Sequence, residues 1–180
     1  MPKGLKETSS QLVISFDTVE SAANTFTQER VDLQLNALDN EVFVVTAVKL
    51  DLLSPDFALT GADQDQRPFT AAAISKQSST ALPTLASPSC IATAKETIIA
   101  SFKVAGAVAY GSMTSFTENS SDTPSTLDYL DIIATPDFFV SIFGGSNANA
   151  KTVSGKVYGY RARADAATYA GLVQSELLSQ

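Results

Sequence analysis

The sequence contains no histidine and no tryptophan. Without imidazole it lacks the commonest general base, the usual partner of a serine or cysteine nucleophile, and the commonest ligand for zinc or copper. A single cysteine, Cys90, excludes an intrachain disulfide and any zinc site built from cysteines. Basic residues are few and dispersed: 12 Lys and Arg stand against 19 Asp and Glu, for a formal net charge of −7. With no basic block to neutralise several phosphates at once, direct nucleic-acid binding is not expected. Long apolar runs are missing too. Nothing approaches the roughly 18 residues that mark a membrane-spanning helix, and no apolar segment follows Met1 to Ser10 as it would in a signal peptide. The expectation is a protein made in the cytosol, with membrane contact left undecided.

What is present is apolar residues in short alternating stretches. From Arg30 to Ala37, Val31, Leu33, Leu35 and Ala37 share one face and Arg30, Asp32, Gln34 and Asn36 the other, which is the period of a half-buried strand. The polar turn Asp39-Asn40 leads into the strongest strand signal, Glu41 to Leu53. There Val42, Val44, Thr46, Val48, Leu50 and Leu52 fall on one face, and Ser54-Pro55-Asp56 ends the run. Further strands are expected over Gln11–Phe16, Phe69–Lys76, Lys95–Val104, Tyr129–Ile133, Phe138–Phe143 and Thr152–Arg163, about eight in all, with turn-forming residues between them. A helix is expected only at the end, where Tyr169, Leu172, Val173 and Leu177 recur at helical spacing behind Asp165, a candidate N-cap.

Many short strands without alternating helices predict an all-β fold, an antiparallel β-sandwich closed by a short C-terminal α-helix. A single jelly roll of two four-stranded sheets suits the count, and an immunoglobulin-like sandwich suits it equally. The 180 residues divide into an N-terminal arm (1–10), one sandwich (11–163) and the helical tail (164–180).

Candidate chemistry is thin. Asp63 and Asp65 could face a calcium ion from one loop, but the further oxygen ligands are missing, so a solvated turn is the better reading. Gly144-Gly145-Ser146-Asn147 lacks the Lys-Ser/Thr pair and long helix of a phosphate loop, and reads as a hairpin loop. Cys90 has no histidine to activate it and apolar neighbours, as an inert thiol would. Asp128 and Asp131 could serve as an acid and a base on sugars, yet polar strand ends explain them as well. Neither catalytic residues nor cofactors nor metals are expected. Function is therefore expected in surfaces: Tyr169, Leu172, Val173 and Leu177 of the tail as an apolar grip, and Arg161 and Arg163, on one face of the last strand, pairing with acidic residues of a neighbouring copy.

Several segments carry a resemblance. Asn24-Thr25-Phe26-Thr27, the strand from Glu41 to Ser54-Pro55-Asp56, and Phe138 to Phe143 followed by Gly144-Gly145-Ser146-Asn147-Ala148 are among them. The others are Lys156-Val157-Tyr158-Gly159-Tyr160-Arg161 and Ala167-Thr168-Tyr169-Ala170-Gly171-Leu172-Val173. In this order they resemble the small single jelly-roll major capsid proteins of marine icosahedral viruses. The resemblance covers most of the chain, though its motifs are strand and turn patterns and not a catalytic signature. It implies a structural, self-assembling homo-oligomer of the virion, made in the host cytoplasm, with minor capsid proteins as further partners and no catalytic residues to carry over. The acidic charge departs from the basic arms of many small coat proteins, which leaves the genome to an inner membrane or to separate packaging proteins. The competing readings are a carbohydrate-binding β-sandwich module, with Tyr129, Tyr158 and Tyr160 as stacking residues, and a surface-filament subunit.

Overall fold

The structure, a computed structural model, describes residues 4–57, 64–105, 108–119 and 127–178. It is an antiparallel β-sandwich with one C-terminal helix. Among these residues eleven strands run in chain order: β1 (Leu5–Glu7), β2 (Leu12–Val19), β3 (Thr27–Asp32), β4 (Glu41–Leu52), β5 (Gln64–Gln66), β6 (Phe69–Ser75), β7 (Cys90–Ala105), β8 (Val108–Asn119), β9 (Asp131–Ile133), β10 (Asp137–Gly145) and β11 (Thr152–Ala164). Helix α1 (Ala166–Leu178) follows directly.

The first sheet has the order β2-β11-β4-β9, with β1 continuing the β2 edge along the far end of β11. The second has the order β3-β10-β6-β7, with β5 and β8 flanking β7. The pairings are nested: β2 with β11, β3 with β10, β4 with β9, β6 with β7. The chain is thus one long antiparallel ribbon folded at β6–β7 and wound so that successive turns alternate between sheets. This order corrects one expectation. The Gly144 to Asn149 loop is no hairpin, because it carries the chain from β10 in the second sheet to β11 in the first.

The inner faces meet in a core of Phe43, Val48, Ile74, Phe138, Ile142, Val157 and their neighbours. The rings of Phe16 and Phe138 meet edge-on there, 6.3 Å between centroids. The alternation in β4 does not run through unbroken. The register against β11 shifts between Tyr158 and Gly159, and an extra residue of β4 is accommodated at Thr46, whose hydroxyl donates to the Tyr158 carbonyl at 3.2 Å. A bulge of this kind exchanges the faces of a strand. Phe43, Val45, Val48 and Leu50 therefore point into the sandwich, whereas Val42 and Val44 point out of it into a second cluster. The single face expected for Val42 through Leu52 is split in two. Opposite the bulge, a Cβ at Gly159 would lie 2.3 Å from the Val44 carbonyl oxygen, so only glycine lets the strands close there.

Other departures are local. The strand expected at Arg30–Ala37 is β3 and ends at Asp32: the Asp32 carboxylate accepts from the Gln34 amide at 2.7 Å, Gln34 takes φ 52°, and Ala37–Asp39 form a single 3-10 turn. The expected arm, residues 1–10, contains β1, which is paired to Arg163 and its neighbours on β11. The turn assigned around Asp65 contains β5, while Asp63 lies outside the described residues. Strand β8, over which no strand was expected, reaches Asn119, and residues 120–126 lie outside the described residues.

Candidate functional site

Helix α1 begins where Asp165 supplies its cap. The Asp165 carboxylate accepts from the Thr168 amide at 2.8 Å, and that bond holds its carboxyl below the usual range. From there Tyr169, Leu172 and Val173 lie half-buried on the outer cluster of Leu5, Val42, Val44, Ala134, Ala162 and Ala164. Three of the six floor residues are alanines. The tail does not hang free: its apolar stripe covers the outer face that the β4 bulge creates. The Leu177 side chain lies outside what the structure describes.

Near its end the helix is held by polar groups. Glu176 is 3 % exposed and accepts from the Ala134 amide at 3.0 Å, while the Gln77 side-chain amide donates to the Glu176 carbonyl. Burial pushes the Glu176 carboxyl above its ordinary range. Beside it Lys76 pairs with Asp131 at 3.0 Å. A cleft of about 540 Å³ opens here, lined by Lys76, Gln77, Ser87, Ser89, Thr135 and Glu176 among others. The Ser87 and Ser89 hydroxyls bond each other at 2.9 Å, an arrangement suited to holding a polar group.

The two arginines singled out in the sequence are engaged within the chain. Arg161 donates to the Leu33 carbonyl at 3.1 Å and lies 3.8 Å from Glu41. Arg163 donates to the Asp39 carbonyl at 3.1 Å and pairs with the Asp39 carboxylate. The acids that they meet belong to this chain. Of the three tyrosines considered for sugar stacking, Tyr129 and Tyr160 pack against the helix cluster. Tyr158 instead lines a shallow groove on the bare part of the outer face, beside Lys49 and Lys156. Asp65 is occupied by Ser101, at 2.6 Å, and Lys103, at 3.6 Å. No group of three metal-ligating side chains occurs among the described residues. Cys90 is half-buried, and burial raises its thiol pKa.

At the opposite end of the sandwich is a network that the sequence did not announce. Lys151 is 1 % exposed, and its ammonium group donates to the Asp56 carboxylate at 2.6 Å and to the Ser54 carbonyl at 2.9 Å. Glu20, 3 % exposed, accepts from the amides of Gly144 at 2.6 Å and Lys151 at 2.9 Å. Asn147 accepts from the Asp56 amide, donates to the Phe69 carbonyl and exchanges bonds with Asn24. Loops from both sheets are thereby fastened by buried, partnered polar groups. The Lys151 ammonium holds the Asp56 carboxyl below the usual carboxylate range.

The fold and its surfaces define a protein of the all-β sandwich class. No model of a known protein family matches the chain, and a search of curated proteins finds no relative.

Proposed function

We propose that this chain is a structural subunit that assembles with copies of itself into a closed shell, the major capsid protein of an icosahedral virus. The observation that carries the reading is the nested ribbon, β2 with β11, β3 with β10, β4 with β9 and β6 with β7. Winding of that kind favours a jelly roll over an immunoglobulin-like sandwich, and jelly rolls are a common architecture of viral shells. Fold alone does not define function, so the surfaces matter as well. Large apolar side chains stand out at the corners of the sandwich, with Leu38 96 % exposed on its 3-10 turn, Leu85 63 % and Leu178 77 %. Placed singly on a turn, a loop and the end of α1, they suit lateral packing against neighbours. The turn behind Leu38 is held by Arg163, which donates to the Asp39 carbonyl, and a rigid corner lowers the ordering cost of each contact in a shell.

Negative-stain microscopy and light scattering of the purified full chain test the reading. Closed particles of uniform diameter are expected. A monodisperse monomer at high concentration that binds a glycan array would overturn the shell and favour a carbohydrate-binding module.

A further inference from the structure

Strand β8 stands outside the wound ribbon. It runs twelve residues along β7 and is paired, among the described residues, with β7 alone. Residues 111–118 are all exposed, Met113 at 54 % and Phe116 at 50 %. Those side chains therefore contribute little to the subunit's own core, while the outer edge presents a row of amide and carbonyl groups. Other edges of the molecule are guarded. Strands β5 and β9 have three residues each. The six-residue β3 carries Glu29, Arg30 and Asp32. The eight-residue β2 carries Asp17, and its Thr18 hydroxyl donates to Glu29. Short length and charge are the usual protections of an edge. Strand β8 has neither: its sequence VAYGSMTSFTEN holds one charged residue, Glu118, and no proline. A long uncharged edge is a template for strand addition.

We infer that β8 pairs antiparallel with β8 of a second copy, about a twofold axis at Ser115, and so joins two subunits through one continuous sheet. The charge pattern selects this occupant. Each copy carries a net −7, so two copies approach best where their surface is uncharged, and a cationic partner would find only Glu118 to pair with. In the register about Ser115, Phe116 faces Thr114, Met113 faces Thr117 and Glu118 faces Ser112. Aromatic residues opposite β-branched ones are favourable cross-strand pairs. The two Glu118 side chains then lie six residues apart along the sheet, roughly 20 Å at about 3.3 Å per residue, beyond the screening length of about 8 Å at physiological salt. Because each copy offers the same strand to the other, the contact closes on itself and does not propagate as a fibre.

This inference deepens the shell reading and rests on it for its biological role, but its test is separate. Sedimentation velocity of the full chain should show a dimer or larger species. Ser115→Lys, at an exposed position, sets two ammonium groups face to face and should raise the dissociation constant roughly tenfold or more, with the circular dichroism and thermal melt of the subunit unchanged. In a second variant, Ser115→Cys with Cys90→Ala, mild oxidation should yield a covalent dimer, because directly opposed residues of an antiparallel pair lie within disulfide reach. A wild-type monomer at all concentrations, or an association untouched by Ser115→Lys, would overturn the pairing, as would open fibres or failure of the cysteine variant to cross-link. Closed particles insensitive to Ser115→Lys remove the pairing and keep the shell. Dimers abolished by Ser115→Lys, without particles, keep the pairing and remove the shell.

Discussion

The two ends of the sandwich are closed in different ways. At one, Glu20, Lys151, Asp56 and Asn147 fasten loops from both sheets through buried ionic and amide groups. At the other, a helix lays Tyr169, Leu172 and Val173 on a floor rich in alanine, and one buried carboxylate, Glu176, reaches the Ala134 amide. The first closure is specific and intolerant, since each group has partners it cannot exchange. The second is largely apolar, and its members are only half-buried. Packing of that kind loses strength by degrees, whereas a buried polar network fails when one partner is removed.

The largest test of that difference is Glu20→Ala. It strips the partner from two buried amides, of Gly144 and Lys151, and at roughly 1–3 kcal/mol for each orphaned donor it should cost about 2–6 kcal/mol. Denaturant titration followed by circular dichroism would reveal the loss, and a cost below that range would mean that water replaces the carboxylate and that the network is less closed than its geometry implies. Leu172→Ala at the helix end should cost less, about 1–2 kcal/mol, because the side chain is only partly buried and the full cost of burial does not apply. A loss as large as that of Glu20→Ala would remove the contrast.

The smallest effect separates the ends by sign. Asp56 has a depressed carboxyl pKa when folded, so its contribution is present above the ordinary aspartate range and is lost as pH falls through the folded value. Glu176 has a raised one. The folded state therefore holds its proton to higher pH than the unfolded chain does, and stability falls as pH rises from the ordinary glutamate range through the raised value. Acidification should tighten the helix end first and loosen the network end later. Hydrogen exchange at the Ala134 and Lys151 amides, corrected for the intrinsic pH dependence of exchange, should move in opposite directions. In Glu176→Gln the response at Ala134 should flatten while that at Lys151 persists.

The sequence made the sandwich legible wherever one face of a strand was apolar and the other polar. Strands β4, β6, β10 and β11 fall within a residue or two of where alternation and turn formers put them. The helix and its Asp165 cap were equally visible, because periodicity and capping are local signals. Strand β8 was not, since both of its faces are exposed and its serines, threonines and Gly111 have no alternation to betray a strand. Strands β1 and β5, three residues each, are too short for a period to register. The bulge was hidden because valine suits either face, so Val42 and Val44 scan like Val48. At the candidate surfaces, alternation put Arg161 and Arg163 on one face of β11, but the acids they meet, Glu41 and Asp39, come from within the chain. The Glu20–Lys151 network left no local signal: its members are ordinary loop residues widely separated in the chain, and a fully buried lysine is the exception among lysines.

The extra residue at Thr46 gives the chain a way of checking its own alignment. One strand serves two apolar clusters by changing phase midway, and the cover for the outer cluster comes from the thirteen residues of α1, which follow β4 by more than a hundred residues. Were the first half of β4 to slip by one residue against β11, the helix would meet Phe43 and Val45 where it needs Val42 and Val44, and the packing of Tyr169, Leu172 and Val173 on the cluster would be lost. The helix therefore docks well only on a correctly registered strand, one that precedes it far back in the chain, and a slip in β4 is penalised only once α1 has been made.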